Sequence, residues 1–153
     1  MTTGWDDRIP GLFELPSGRR VRGRGLRDPM PGGSAPTFGV YLVGRRPPEF
    51  DWEMRWIRWL DFWLPSDHAA ATAVLREAWK RSADGRIEFA CGGGKGRTGT
   101  ALAMLAVIDG IPAADAVAYV RAHYSPHAVE TPWQRRYVER YRPWQAATCR
   151  DHR

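Results

Sequence analysis

Apolar and polar positions alternate over short stretches in the first half of the chain and recur at helical spacing in the second. Leu12–Leu15 and Arg20–Arg24 flank Pro16-Ser17-Gly18, which predicts a hairpin. Phe38–Val43 is aromatic and β-branched and predicts a buried strand. Trp52–Trp59 predicts another, and Arg86–Ala90 a third central strand that leads straight into Cys91. Ser66 or Asp67 can cap a helix through about Ala83, with Gly85 ending it; Ala70, Val74, Leu75, Ala78 and Trp79 form its apolar face. Thr98–Asp109 is apolar nearly all round, so it predicts a buried helix closed by Gly110. Pro112 opens another helix to about Tyr124. Thr131, Pro132 and Gln134 then combine Pro at the first helical position with a T-x-x-Q capping box. That last helix is expected to turn Trp133, Tyr137, Tyr141 and Trp144 inward.

Strands that come first and then alternate with helices predict an α/β fold, a central, mostly parallel sheet flanked by helices. At 153 residues the chain fits one domain. Within it, residues 1–37 supply N-terminal strands and a loop, 38–145 a catalytic core and 146–153 a tail. The Pro/Gly-rich stretches Arg27–Pro36 and Gly44–Glu49 are too short to separate two cores, so they predict loops. With 43% hydrophobic and 26% charged residues the composition is globular. No apolar run is long enough to span a bilayer, and the N-terminus lacks a basic segment followed by an apolar one. A cytoplasmic protein with no membrane partner is the expectation. Two cysteines, Cys91 and Cys149, are too few for a disulfide framework. The net charge of +6 favours anionic ligands without choosing among them.

The choice narrows at Cys91-Gly-Gly-Gly-Lys-Gly-Arg-Thr-Gly99, between a predicted strand and a buried helix. Gly92, Gly93, Gly94 and Gly96 lack side chains, so with Lys95 between them their backbone amides can turn inward as an anion nest. The following helix points its positive end at the same spot. Arg97 adds a planar fork matched to two phosphate oxygens. Cys91 at the mouth of this cradle would be held as thiolate, the nucleophilic form. Thr98 is placed to hydrogen-bond the sulfur. A nucleotide-binding P-loop is excluded, because Gly96 follows the lysine where Ser or Thr is required.

This segment resembles the C-x5-R-[ST]-G signature of the protein tyrosine phosphatase and dual-specificity phosphatase superfamily, matched at Cys91, Arg97, Thr98 and Gly99. The resemblance implies a tyrosine-phosphatase-like fold and hydrolysis of phosphate monoesters through a phosphocysteine, without metal or cofactor. Phosphotyrosine or dual-specificity protein phosphatase activity is the implied class. A phosphorylated sugar, nucleotide or inositol is the alternative substrate, and a non-catalytic phosphate-binding module the alternative function. The family's Trp-Pro-Asp loop is matched by Trp59-Leu60-Asp61, with Leu60 in place of proline. Asp61 is therefore the expected general acid, ahead of Asp67, which sits where a helix cap is needed. Ala90 stands where the family often has histidine. Val129–Gln134 resembles the family's glutamine-bearing loop, with Glu130 in place of its first glutamine. Gln134 is then either a water-orienting residue or simply the capping-box glutamine.

The aromatic and basic run Trp52–Trp63 resembles a base-stacking surface only loosely, and no nucleic-acid partner is expected. Ser125-Pro126 interrupts any helix between His123 and His127, which removes them as a metal pair. Cys149 is the remaining thiol that can pair with Cys91 in redox chemistry. The expected partner is a phosphorylated protein or a small-molecule phosphate; the sequence leaves the oligomeric state open.

Overall fold

The computed structural model describes residues 4–143. In chain order its elements are β1 (Leu12–Glu14), β2 (Arg20–Gly25), β3 (Phe38–Val43), β4 (Glu53–Arg58), α1 (His68–Arg81), β5 (Ile87–Cys91), α2 (Gly96–Ile108), α3 (Ala113–His123) and α4 (Pro132–Glu139). The five strands form one sheet in the order β1-β2-β5-β3-β4. β1 and β2 are the expected antiparallel hairpin, and every other pairing is parallel. The N-terminal strands thus belong to the same sheet as the core: β2 lies directly against β5.

Alternation along the strands assigns the two faces different chemistry. Val21, Phe38, Val40, Leu42, Ile57, Ile87 and Phe89 point one way and share a single apolar core with residues of all four helices. α2 is buried along almost its whole length, as its all-round apolar sequence requires. The described helices therefore flank the sheet, as the sequence predicts, and do so on this face. The opposite face carries Arg22, Arg24, Tyr41, Glu88 and Ala90, and loop aromatics roof it. Arg22 stacks on Trp5, 4.3 Å from the ring centre, and Tyr41, Phe50 and Trp52 stack in series.

A buried ion cluster replaces apolar packing on that second face. Glu88 is fully buried and accepts from Arg24 Nε at 2.8 Å and Nη2 at 3.0 Å, from the Tyr41 hydroxyl at 2.7 Å, and from Arg22. Burial alone would push its carboxyl up. The bonds from Arg24, Tyr41 and Arg22 outweigh that and hold it below the usual carboxylate range.

Helix termini follow the sequence closely. Asp67 Oδ1 caps α1 by accepting from the Ala70 amide at 3.0 Å. Thr131 and Gln134 form the reciprocal capping box of α4, with Pro132 at its first position. One expectation fails on α4. Trp133 is exposed, whereas Tyr137 packs half-buried against the core and Tyr141 is buried just beyond the helix; the fully buried positions of α4 are Gln134 and Val138. Trp144, Cys149 and the expected tail lie outside the described residues.

Candidate active site

In a parallel sheet all strands end at one edge, and connections there meet in a crevice. Here β5 ends at Cys91, and the turn after it enters α2 at Gly96, two residues earlier than the sequence predicts. No side chain caps the α2 N-terminus, so its first-turn amides are left for another acceptor. The Cys91 side chain is 1% exposed and sits under that turn. Two donors point at its sulfur, the Gly94 amide at 3.2 Å and the Thr98 hydroxyl at 3.0 Å. Both stabilise negative charge there.

Close backbone approach explains the glycines. Gly94 has φ +77°, and a Cβ on it would lie 2.6 Å from the Gly25 nitrogen and 2.7 Å from the Arg24 carbonyl carbon. The loop is thus pressed against the end of β2, where only glycine fits. At Gly96 a Cβ would collide with the Glu130 carboxylate, and at Gly99 it would meet Ala128 Cβ at 2.5 Å. Those two glycines let the segment before α4 dock on the first turn of α2. Tyr124 braces the loop from outside, its hydroxyl donating to the Gly94 carbonyl at 2.5 Å. Burial pushes that phenol far up, with the charges of Cys91 and Asp28 adding to it, so it stays a donor.

Arg97 is 6% exposed and begins the other wall. Its Nη1 donates to the Trp59 carbonyl at 3.1 Å, which fixes the plane of the guanidinium. Its Nε is buried without a hydrogen bond and lies 3.5 Å from Asp61 Oδ1. An orphaned buried donor beside uncapped helix amides is the signature of a site shaped for an oxyanion. Asp61 itself is half exposed, on a turn in which the Trp63 amide donates to the Leu60 carbonyl at 3.0 Å. Phe62 adopts φ +66°, a conformation that costs a non-glycine residue energy.

The turn is held from α4 and from the sheet. Trp133 Nε1 donates to the Phe62 carbonyl at 2.6 Å, and the Trp63 carbonyl accepts from Trp59 Nε1 at 2.7 Å and Gln134 Nε2 at 3.0 Å. Gln134 is completely buried, and its Oε1 accepts from the Glu130 and Thr131 amides. Both ends of its amide are engaged, as the capping alternative requires. The carboxylate that does reach the loop is that of Glu130, against Gly96. Asp67 is occupied as a cap.

The structure thus brings Cys91, Gly92–Arg97, Thr98 and Asp61 together and sets Asp67 and Gln134 into structural bonds. Sequence reasoning missed Arg27, whose guanidinium lies against Gly92, and the clamp formed by Trp133.

Solved tyrosine and dual-specificity phosphatases share this α/β fold. Solved structures with this fold include Tk-PTP in its active form, at 24% identity over 84% of this chain and 93% of that one, TM-score 0.64. Kinase associated phosphatase, with its catalytic site cysteine substituted by serine, matches at 15% identity over 93% and 99% of the two chains, TM-score 0.69. The Yvh1 phosphatase domain from Chaetomium thermophilum matches at 18% identity over 90% and 97%, TM-score 0.58. No protein-family model matches the sequence, and neither does any curated protein.

Proposed function

We propose that the chain is a cysteine-dependent phosphatase that hydrolyses phosphate monoesters through a phosphocysteine intermediate. The observation that carries this is the sulfur of Cys91, met by two donors inside a loop whose arginine has an unbonded, buried Nε beside a carboxylate.

The phosphoryl group sits on the loop amides and on Arg97, which neutralise its charge as the transition state forms. Cys91 Sγ attacks phosphorus while the ester oxygen leaves and takes a proton from Asp61. In the second step water attacks the phosphocysteine and gives its proton to Asp61, and the S–P bond breaks. The Thr98 hydroxyl then hydrogen-bonds the departing thiolate. No step uses a metal or a cofactor. A cytoplasmic location, with its reducing conditions, keeps the thiol available.

Hydrolysis of para-nitrophenyl phosphate in EDTA tests the assignment. Turnover should persist with the chelator, and Cys91→Ser should abolish it while phosphate binding survives. Undiminished turnover by that variant rules the mechanism out.

A further inference from the structure

Beyond the scissile phosphate, the loop carries a second set of cations that the proposed chemistry does not use. The β2–β5 pairing continues past both strand ends, with the Leu26 amide donating to the Cys91 carbonyl at 2.8 Å and the Arg27 amide to the Gly92 carbonyl at 3.1 Å. That ladder fixes Arg27 one residue from the nucleophile. Its guanidinium then lies over Gly92, with Nη2 2.6 Å, Nε 3.1 Å and Cζ 3.2 Å from where a Cβ would stand. Arg27 therefore occupies the place that a side chain of the loop's second residue would fill. It is exposed, and among the described residues no carboxylate or other acceptor engages its guanidinium.

Lys95 is a second such cation on the same loop, exposed at the start of α2 and without a side-chain partner among the described residues. Between them Gly93 is bare, with nothing within 4 Å of a Cβ. Gly93, Gly94 and Lys95 also wall a cavity of about 420 Å³ that Pro29, Pro31 and Tyr124 close on other sides. Asp28 is the acidic side chain in its lining; the guanidinium of Arg24 there is already paired with Glu88.

Resting on the phosphatase assignment above, we infer that the substrate's leaving group carries a second anionic group, held at Gly93 by Arg27 and Lys95. A guanidinium with no acceptor among the described residues and an exposed ammonium on the same loop match a phosphate or a carboxylate. An ester whose leaving group is uncharged leaves both unused.

The test compares phenyl phosphate with phenylene bisphosphate on the wild-type protein and on Arg27→Ala and Arg27→Lys. The bisphosphate should be preferred in kcat/KM by about tenfold, the worth of one charge-assisted hydrogen bond, beyond its statistical factor of about two. Arg27→Ala should erase that preference and Arg27→Lys restore part of it. Equal kcat/KM for the two esters, or an equal fall for both in Arg27→Ala, overturns the inference. Calorimetric binding of both compounds to Cys91→Ser separates it from the catalytic reading. Tighter binding of the bisphosphate without wild-type turnover sinks the phosphatase and keeps the second anion site. Equal binding with intact turnover does the reverse. A phosphotyrosyl peptide with acidic flanks, set against one with alanine flanks, then assigns the second charge. A gain there places it in a polypeptide, and a gain confined to the bisphosphate places it in a small molecule.

Discussion

The two walls of the site are built on opposite principles. The phosphate loop is made of backbone, with glycines that let it press on β2, on Glu130 and on Ala128, and it is inseparable from the core. The Asp61 turn is made of large side chains that stand half in solvent. Leu60, Phe62, Trp63 and Trp133 are all exposed, and hydrogen bonds to the Phe62 and Trp63 carbonyls hold the turn in place. A wall that shares the core ties activity to stability. A wall hung on its rim lets the two come apart.

The largest effect that separates them is expected at Asp61. Asp61→Asn should slow turnover by about 10² to 10⁴-fold, the usual worth of a general acid. Because its side chain is half exposed and makes no hydrogen bond shorter than the 3.5 Å approach to Arg97, the melting temperature should hold. Asp67→Asn should leave turnover largely intact, since asparagine caps a helix equally well. If Asp67→Asn slows turnover as much as Asp61→Asn, the acid has been assigned to the wrong residue.

Next comes a pair of neighbours on the other wall. Gly94→Ala places a methyl against backbone at a positive φ, and should lose both about 1–3 kcal/mol of stability and about a hundredfold in turnover. Gly93→Ala, with open space around it, should change stability by less than about 0.5 kcal/mol. Denaturant melts of both variants decide this, and equal destabilisation would show that close packing does not set the glycine requirement.

The smallest effect is expected at the clamp. Trp133→Phe keeps a ring near Trp63 but removes the bond to the Phe62 carbonyl. Turnover should fall a few-fold, with a stability loss of about 1 kcal/mol or less, since the bond is solvent-exposed. A drop in turnover as large as that of Asp61→Asn would mean that the turn collapses without its clamp.

What the sequence made legible follows the same division. The cradle from Cys91 to Thr98 was legible as a geometry because the chemistry proposed for it demands particular residue types, a thiol, a guanidinium and small residues, in one continuous run. The caps at Asp67 and Thr131 were readable because they act over three or four residues. Arg27 was not, because it reaches the loop through a parallel strand pairing that local pattern does not encode. Trp133 misled because residues 133, 137 and 141 share one helical spacing although α4 starts at the rim of the crevice. The last of the three, Tyr141, is buried just beyond the helix, while the first packs on an exposed turn. The single-sided helical layer was hidden for a related reason: Arg22, Arg24 and Glu88 look like surface residues until one carboxylate is seen to serve both arginines.

That carboxylate also acts as an index pin. Glu88 and Cys91 are on the same strand but point to opposite faces. With Arg22, Arg24 and Tyr41 gripping Glu88 from the strands on either side, β5 cannot slide by one position without stranding charges in the interior. Registration of the sheet thereby decides which way the sulfur faces, and a carboxylate on the far face of the sheet keeps Cys91 aimed at the crevice.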